Sequence, residues 1–320
     1  MLIYRSFCYS RWQTCRIIIL LVSTLLIVSC DSKNNEVKHD LDDLISIPKT
    51  TEQNSRVNKE NTFNFGFDLR ASPQEDARQY LPFLNYLEKE TGYRFKFHFT
   101  SKAHNIVDEL GKNHVQFAAI GATSLILANR QYGVIPVVRG LNLQNKAEYQ
   151  SFFVVLPSSK IQHLADISGK HFAFGSRSST QGYLIPRIVL SKSEIELESF
   201  ASITFTGSHV NCANSVISGR KDVCAMQDTM ARSMVKQGLL RTIHTSDYYP
   251  SSGIAANKDV PKEVLKKVRK ALLDFKPKGK DMVDLYNWDK TEMPLGFVEA
   301  NMSDYDDLYK WSVSFNFISP

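Results

Sequence analysis

KHFAFGSRSSTQGYLIPRIVL, residues 170–190, joins two apolar segments through a loop of small polar residues. The residues before Gly175 predict a strand, and those after Gly182 predict a helix. Between these two glycines stand four hydroxyl side chains: Ser176, Ser178, Ser179 and Thr180. A strand followed by a loop and a helix is part of a βα unit, so this stretch predicts an α/β fold.

The same alternation of strand and helix extends over most of the chain. A first series has predicted strands at 63–69, 94–99 and 117–121 and in VIPVVRG, each followed or separated by a helical segment. A second series starts with SFFVVL, residues 151–156, and contains KHFAFG, SITFTG, DVCAM and LLRTIHTS as strands. The two series predict two α/β lobes, each a mainly parallel sheet flanked by helices.

These series suggest how the chain is divided. We expect residues 62–150 together with 252–320 to form lobe I, and residues 151–251 to form lobe II. The C-terminal helices are assigned to lobe I because the second series is complete without them. The chain would then cross between the lobes twice, near 149–151 and near 252–257, in a two-crossover hinge.

The N-terminus has the pattern of a bacterial lipoprotein signal peptide. A basic leader precedes the uncharged run IIILLVSTLLIV, residues 17–28. This run would span roughly 18 Å as a helix, which is too short for a hydrocarbon core of about 30 Å. Ile27 to Cys30 resembles a lipobox, so we predict a signal peptide at 1–29, acylation of Cys30 and a polar tether over 30–61.

The lipid anchor implies a location outside the cytoplasm. The protein would lie on the periplasmic side of the bacterial inner membrane, which Asp31 directly after the cysteine favours, or on the cell surface of a Gram-positive organism. Part of the formal net charge of +6 lies in the leader, and the rest of the chain contains no long basic run. We therefore expect no binding to nucleic acid.

Two cysteines remain in the predicted folded part, Cys212 and Cys224. In an oxidising compartment they could form a disulfide, and the sequence leaves their pairing open. They have no partners at metal-ligand spacing, so we expect no metal site and no cofactor.

Small polar residues follow three of the predicted strands. The three sets are Gly121, Thr123 and Ser124; Ser178, Ser179 and Thr180; and Gly207, Ser208 and His209. Ligands of open α/β sheets bind beyond the carboxyl ends of the strands, where helix N-termini offer unpaired N–H groups and partial positive charge. Each junction alone is better explained as an ordinary helix cap, but the occurrence of three in two lobes shifts the balance towards a shared anion site.

An enzyme that uses Ser178 or Ser179 as a nucleophile is a weaker hypothesis. The loop lacks the G-x-S-x-G elbow of hydrolases and the Gly-Lys-Ser/Thr ending of a P-loop. We therefore expect a binding protein and not an enzyme.

From about Phe63 to Phe315, the chain resembles the phosphate/phosphite/phosphonate-binding proteins of ABC transporters. The similarity runs through YLPFLNYLEKETGYRFKF, FAAIGATS, the stretch quoted above, FTGSHVNCANSVISGRKDVCAMQ and GFVEANMSDYDDLYKW. It implies a type II periplasmic-binding-protein fold whose lobes close over an oxyanion. It also implies ligand contacts from Ser178, Ser179, Thr180 and His209 in lobe II, and from Gly121, Thr123 and Ser124 in lobe I.

The chain departs from members of this family that bind aminoalkylphosphonates. Ile120 stands where those members carry an aromatic residue, and Ser251 and Ser252 stand where an aspartate can follow the proline. After DVCAM, the position of the expected carboxylate is ambiguous around Asp228. These differences favour a small oxyanion without an ammonium group.

The resemblance implies a monomeric solute-binding lipoprotein that delivers phosphate, phosphite or a phosphonate to permease and ATPase subunits. The alternative is a sensing or accessory lipoprotein of the same fold that signals to a membrane partner, such as a sensor kinase or a diguanylate cyclase. The sequence leaves both functions open.

Overall fold

The computed structural model describes residues 61–68, 73–100 and 105–318. The predicted signal peptide, Cys30 and all but the last residue of the predicted tether lie outside these ranges. The strands are β1 (Thr62–Phe67), β2 (Arg94–His98), β3 (Phe117–Ile120), β4 (Ile135–Gly140), β5 (Glu148–Tyr149), β6 (Ser151–Val155), β7 (His171–Phe174), β8 (Ser202–Phe205), β9 (Val223–Gln227), β10 (Arg241–Thr245), β11 (Tyr249–Pro250), β12 (Gly253–Ala256) and β13 (Phe297–Glu299).

The helices flank these strands. They are α1 (Pro73–Thr91), α2 (Ile106–Gly111), α3 (Ala122–Tyr132), α4 (Ile185–Lys192), α5 (His209–Ile217), α6 (Asp228–Lys236), α7 (Lys262–Asp274) and α8 (Asp306–Ser314). A π-helical turn, Thr180–Leu184, precedes α4 directly. None of the helices in the described ranges combines the length and the apolar character that crossing a membrane requires.

Local sequence explains where several of these helices begin and end. Gly121 is the extended N-cap of α3, and Gly133 ends that helix with a left-handed φ of 75°. Ser208 caps α5 by accepting a hydrogen bond from the N–H of Asn211 at 3.1 Å. Both helices closely follow a strand, so their N-termini lie near the carboxyl ends of β3 and β8.

The lobe I sheet has the strand order β13-β4-β12-β3-β1-β2. Strand β1 pairs in parallel with β2 and β3, whereas β12 runs antiparallel to both β3 and β4, and β13 runs antiparallel to β4. Strands β1, β2, β3 and β4 therefore run in the same direction, as the sequence predicts for a mainly parallel sheet, and β12 and β13 run against them, which makes the sheet mixed in its pairing. The physical reason is that the chain leaves lobe I after β4 and returns as β12 beside it, in the opposite direction.

The lobe II sheet is mixed for a similar reason. Its order is β10-β6-β9-β7-β8, with β7 parallel to β8 and β9 and with β6 antiparallel to β9 and β10. Strand β6 enters from the hinge and β10 leads back to it. The parallel pairs in both lobes are those within the predicted βα series.

The hinge consists of β5 and β11, which pair as an antiparallel ribbon with Tyr149 opposite Tyr249. The first crossover lies where the sequence predicted it. The second lies a few residues before the predicted 252–257, because residues 253–256 already form β12 of the lobe I sheet. The sheet memberships support the predicted division into 62–150 plus 252–320 and 151–251, which stays a prediction.

Lobe I has an aromatic core on one face of its sheet. Phe65, Phe83, Phe117 and Phe275 are fully buried there, and Trp288 stacks on Phe83 with ring centroids 4.9 Å apart. Helix α7 belongs to this lobe, since the Tyr86 hydroxyl of α1 donates to the carbonyl of Ala271 at 2.7 Å. Helix α7 thus returns to lobe I, whereas Phe315 and Phe317 contact Arg187 and Tyr183 of lobe II.

A disulfide joins Cys212 of α5 to Cys224 of β9, with their Cα atoms 5.7 Å apart. Both cysteines are fully buried. The bond fixes the helix that carries His209 against the central part of the lobe II sheet.

Replacing Cys212 and Cys224 together by alanine should lower the free energy of unfolding by about 3 kcal/mol, because the unfolded chain regains the freedom that the closed loop removes. Urea unfolding of the purified soluble domain measures this difference. A reductant should lower the stability of the wild-type protein but not that of the double variant. Equal wild-type stability with and without reductant would contradict the prediction.

Candidate functional site

A cavity of about 960 Å³ lies between lobe I and lobe II. Most of the predicted ligand residues line it: Ser178, Ser179, Thr180, His209, Gly121 and Ser124. Thr123 does not line the cavity and is fully buried beside it. The structure therefore brings the three polar junctions to one cavity, as their positions after the strands predict.

The hydroxyl loop of lobe II folds back onto the start of its own helix. The N–H of Gly175 donates to the carbonyl of Gly182 at 2.9 Å, and Ser179 Oγ accepts the N–H of Gly182 at 2.9 Å. Ser178 is exposed, and its hydroxyl lies 3.3 Å from that of Ser176. Ser179 thus acts as a cap, while Ser178 lines the cavity with its hydroxyl beside that of Ser176.

His209 begins α5 and directs one ring nitrogen to this loop. The backbone N–H of Gln227 can only donate, and it lies 3.3 Å from His209 Nδ1, so Nδ1 accepts. In the neutral ring the proton is then on Nε2, which lies 3.4 Å from Ser179 Oγ. The Nε2–H of His209 therefore lies beside the Ser179 hydroxyl, and both residues line the cavity on its lobe II side.

The N-terminus of α3 in lobe I is bonded differently from what the anion hypothesis expects. The N–H of Gly121 donates to Asp68 Oδ2 at 2.9 Å, and the N–H of Thr123 donates to Thr180 Oγ1 at 2.9 Å. The hydroxyls of Thr123 and Thr180 are also 3.0 Å apart. These N–H groups are thus bonded to oxygens of the protein, and Thr180 of lobe II links the two lobes.

Three carboxylates of lobe I, Asp68, Asp108 and Glu292, line the same cavity. None of the three was predicted from the sequence as a site residue. Asp68 had a usable signal, since it directly follows β1, and ligand groups gather at the carboxyl ends of such strands. Glu292 lies in an irregular segment between α7 and β13, where no periodic pattern marks it.

Asp228 does not line the cavity and is hydrogen-bonded to Gln181, the residue that follows the hydroxyl loop. It is buried, and desolvation raises the pKa of its carboxyl group, although hydrogen bonds to Gln181 and Thr229 act in the opposite direction. Its Oδ1 accepts from Gln181 Nε2 at 3.1 Å. This position does not suit a direct contact with a ligand ammonium.

Arg177 is exposed at the cavity and stacks on an aromatic ring. Its guanidinium carbon lies 3.9 Å from the centroid of Phe205. The guanidinium of Arg177 places a positive charge beside the hydroxyl loop, and its cation–π contact with Phe205 holds the side chain in position.

Two α/β lobes, a hinge of paired strands and an interlobe cavity lined by strand–helix junctions define a solute-binding protein of the two-lobed periplasmic type. Residues 65–305 match the family described as "ABC transporter, phosphonate, periplasmic substrate-binding protein", and the chain belongs to that family. This membership agrees with the resemblance drawn from the sequence.

Individual relatives point the same way. The chain is 28% identical over 222 residues to the "Phosphate-import protein PhnD" of Mycolicibacterium smegmatis, covering 63% of this chain and 69% of the relative. It is 25% identical over 245 residues to the "Phosphonates-binding periplasmic protein" of Escherichia coli K12, covering 72% and 71%.

The structural comparison concerns the fold alone. PhnD1 of Prochlorococcus marinus, solved in complex with methylphosphonate, superposes with a TM-score of 0.73 at 18% identity, covering 81% of this chain and all of PhnD1. A binding protein component of an ABC phosphonate transporter from Pseudomonas aeruginosa gives a TM-score of 0.69 at 20% identity, covering 80% and 86%. The two-lobed α/β fold is thereby confirmed.

Replacing Gly182 by alanine should weaken anion binding about tenfold or more and destabilise the fold by about 1–3 kcal/mol. The added Cβ would lie 2.9 Å from His209 Cε1 and from Ser179 Oγ, and 3.2 Å from Gly175 Cα. Calorimetric titration with phosphate and methylphosphonate, together with thermal unfolding, measures both effects.

Gly279→Ala is the matched control, because its Cβ would meet nothing closer than 3.4 Å. If the Gly182 and Gly279 variants bind the same anions equally well, the close packing of His209 on the loop has no role in binding.

Proposed function

We propose that the protein captures a small phosphorus oxyanion, namely phosphate, phosphite or a phosphonate, and delivers it to the permease and ATPase of an ABC importer. The observation that carries this proposal is the wall of donors in lobe II, formed by Ser178 and His209, which line one cavity and carry a hydroxyl and a ring N–H. The names of the relatives, which refer to phosphate and phosphonates, support the same ligand class.

In this proposal the protein replaces the water around the anion, and no covalent bond is broken. Hydroxyl and imidazole donors take the place of water around the anion, and hydrogen bonds to a charged group contribute about 1.5–3 kcal/mol each. The hinge ribbon lets the lobes close and open around the ligand. A binding role accounts for every polar group described at the loop, and the sensing alternative has no observation in its favour.

The family places the protein outside the cytoplasm. We further propose that it is a monomer anchored to the membrane through a lipid on Cys30, as the lipobox pattern indicates. Metabolic labelling with a palmitate analogue should mark the wild-type protein and not a Cys30→Ala variant.

Ser178→Ala and His209→Gln should each raise the Kd for the bound phosphorus anion by roughly 10- to 150-fold, because each change removes or displaces one donor to a charged group. Isothermal titration with phosphate, phosphite and methylphosphonate tests this expectation. Ser191→Ala, on the far end of α4, is the matched control for a loss of one hydroxyl.

If Ser178→Ala and His209→Gln keep the wild-type Kd, as the control Ser191→Ala should, the wall of donors is not the ligand site. If the wild-type protein binds none of these anions, the proposed ligand class is wrong.

Thr180→Val should impair lobe closure more than Thr123→Val does. Valine at 180 deprives the buried N–H of Thr123 of its acceptor, whereas valine at 123 keeps that N–H bond and removes only the contact between hydroxyls. Leaving a buried donor unsatisfied costs about 1–3 kcal/mol.

Ligand dissociation rates and small-angle scattering of the liganded protein measure this difference. We expect faster release and a larger radius of gyration for the Thr180 variant. Equal effects of the two substitutions would show that the link between the lobes is not the N–H bond to Thr180.

A further inference from the structure

The side of the cavity formed by lobe I presents hydrogen-bond acceptors where the sequence had predicted donors. Asp68 lies at the end of β1 with its carboxylate at the start of α3, where Oδ2 accepts the N–H of Gly121 at 2.9 Å and Oδ1 lies 3.5 Å from Ser124 Oγ. Asp68 also lines the cavity and is partly exposed to it. The N–H of Gly121 is therefore bonded to this carboxylate, and the carboxylate borders the cavity together with Gly121 and Ser124.

Oxygens from different parts of the fold converge around Gly121. A Cβ on this residue would lie 3.2 Å from Thr180 Oγ1, 3.7 Å from Asp68 Oδ2 and 3.9 Å from Ser252 Oγ. Because residue 121 has no side chain, there is room beside it for oxygens of Asp68, Thr180 and Ser252. They come from the end of β1, from lobe II and from the residue before β12. Ser252 is itself nearly fully buried, so its hydroxyl position is fixed by packing.

The two sides of the cavity thus differ in chemistry. Lobe II offers donors, the His209 Nε2–H and the Ser178 hydroxyl, whereas lobe I offers a carboxylate that, when ionised, can only accept. A tetrahedral anion without protons would place an unprotonated oxygen against that carboxylate, which is unfavourable through charge repulsion and a missing donor. An anion that carries an O–H can donate to it.

We propose that Asp68 is a specificity-determining residue that accepts a hydrogen bond from a P–OH group and thereby selects protonated phosphorus oxyanions over sulfate and sulfonates. The proposal rests on the proposed function, since it assumes that this cavity binds an oxyanion. Phosphate and sulfate provide the comparison, because they share a tetrahedral geometry, but at neutral pH only phosphate carries a proton.

Asp68→Asn tests the proposal with little change in shape. Asparagine retains one oxygen that can accept the N–H of Gly121, and it replaces the other oxygen by an NH₂ donor. We expect the ratio of phosphate affinity to sulfate affinity to fall at least about tenfold, the equivalent of one lost hydrogen bond, with a gain in sulfate affinity. The ratio of methylphosphonate to methanesulfonate affinity should fall in the same direction.

Asp108→Asn is the matched control, since Asp108 also borders the cavity but its Oδ1 accepts the Tyr132 hydroxyl at 2.6 Å. It removes one negative charge that borders the same cavity and leaves the bonds at the N-terminus of α3 intact, since Tyr132 lies at the other end of that helix. Isothermal titration of the wild-type protein and both variants with the four anions gives the affinity ratios, and thermal unfolding reports whether each variant is folded.

The outcomes separate the two proposals. If wild-type protein binds none of the phosphorus anions, the proposed function fails and this inference fails with it. If the wild type prefers phosphate and the two variants give the same ratio, Asp68 does not select the proton and only this inference is overturned. If 2-aminoethylphosphonate binds far more tightly than methylphosphonate and Asp68→Asn abolishes the difference, Asp68 binds an ammonium and the P–OH assignment is wrong.

Discussion

The two chain crossings lie side by side as the antiparallel pair β5 and β11, and this constraint determines much of the architecture. Because the chain leaves lobe I beside the point where it returns, β12 must run antiparallel to its neighbour β4. The same geometry makes β6 antiparallel to β10 in lobe II. Each lobe therefore combines parallel βα pairs with antiparallel strands that connect to the hinge, and the cavity forms where the junctions of the two lobes face each other.

The distribution of donors and acceptors across the cavity follows from what each helix N-terminus already binds. In lobe I, the N–H groups of Gly121 and Thr123 are bonded to Asp68 and Thr180, so that lobe contributes a carboxylate and a link between the lobes. In lobe II, the loop closes on itself through Ser179 and Gly182, and Ser178 and His209 line the cavity beside it. A helix N-terminus is thus a donor site for a ligand only where no side chain of the protein occupies it.

The sequence predicted the lobes, the order of the βα units and the three polar junctions, because these depend on periodicity and on local capping residues such as Ser208 and Gly133. It did not predict the antiparallel return of β12, since strand direction depends on where a distant crossover lies. It also missed Asp68 and Glu292 in the cavity. A single acidic residue after a strand has no periodicity, and its role becomes visible only when β1 is paired with β3 and α3 follows beside it.

The hydroxyl loop is joined to the hinge by a buried polar network. Gln181 donates from Nε2 to the carbonyl of Gln150 at 2.8 Å and to Asp228, while the Ser151 hydroxyl donates to the carbonyl of Gln181 at 2.7 Å. Because buried hydrogen bonds in a low-dielectric interior hold their geometry well, this network couples the loop to the chain segment just after the first crossover. The loop that contains the proposed anion site is therefore hydrogen-bonded to the segment where the chain enters lobe II.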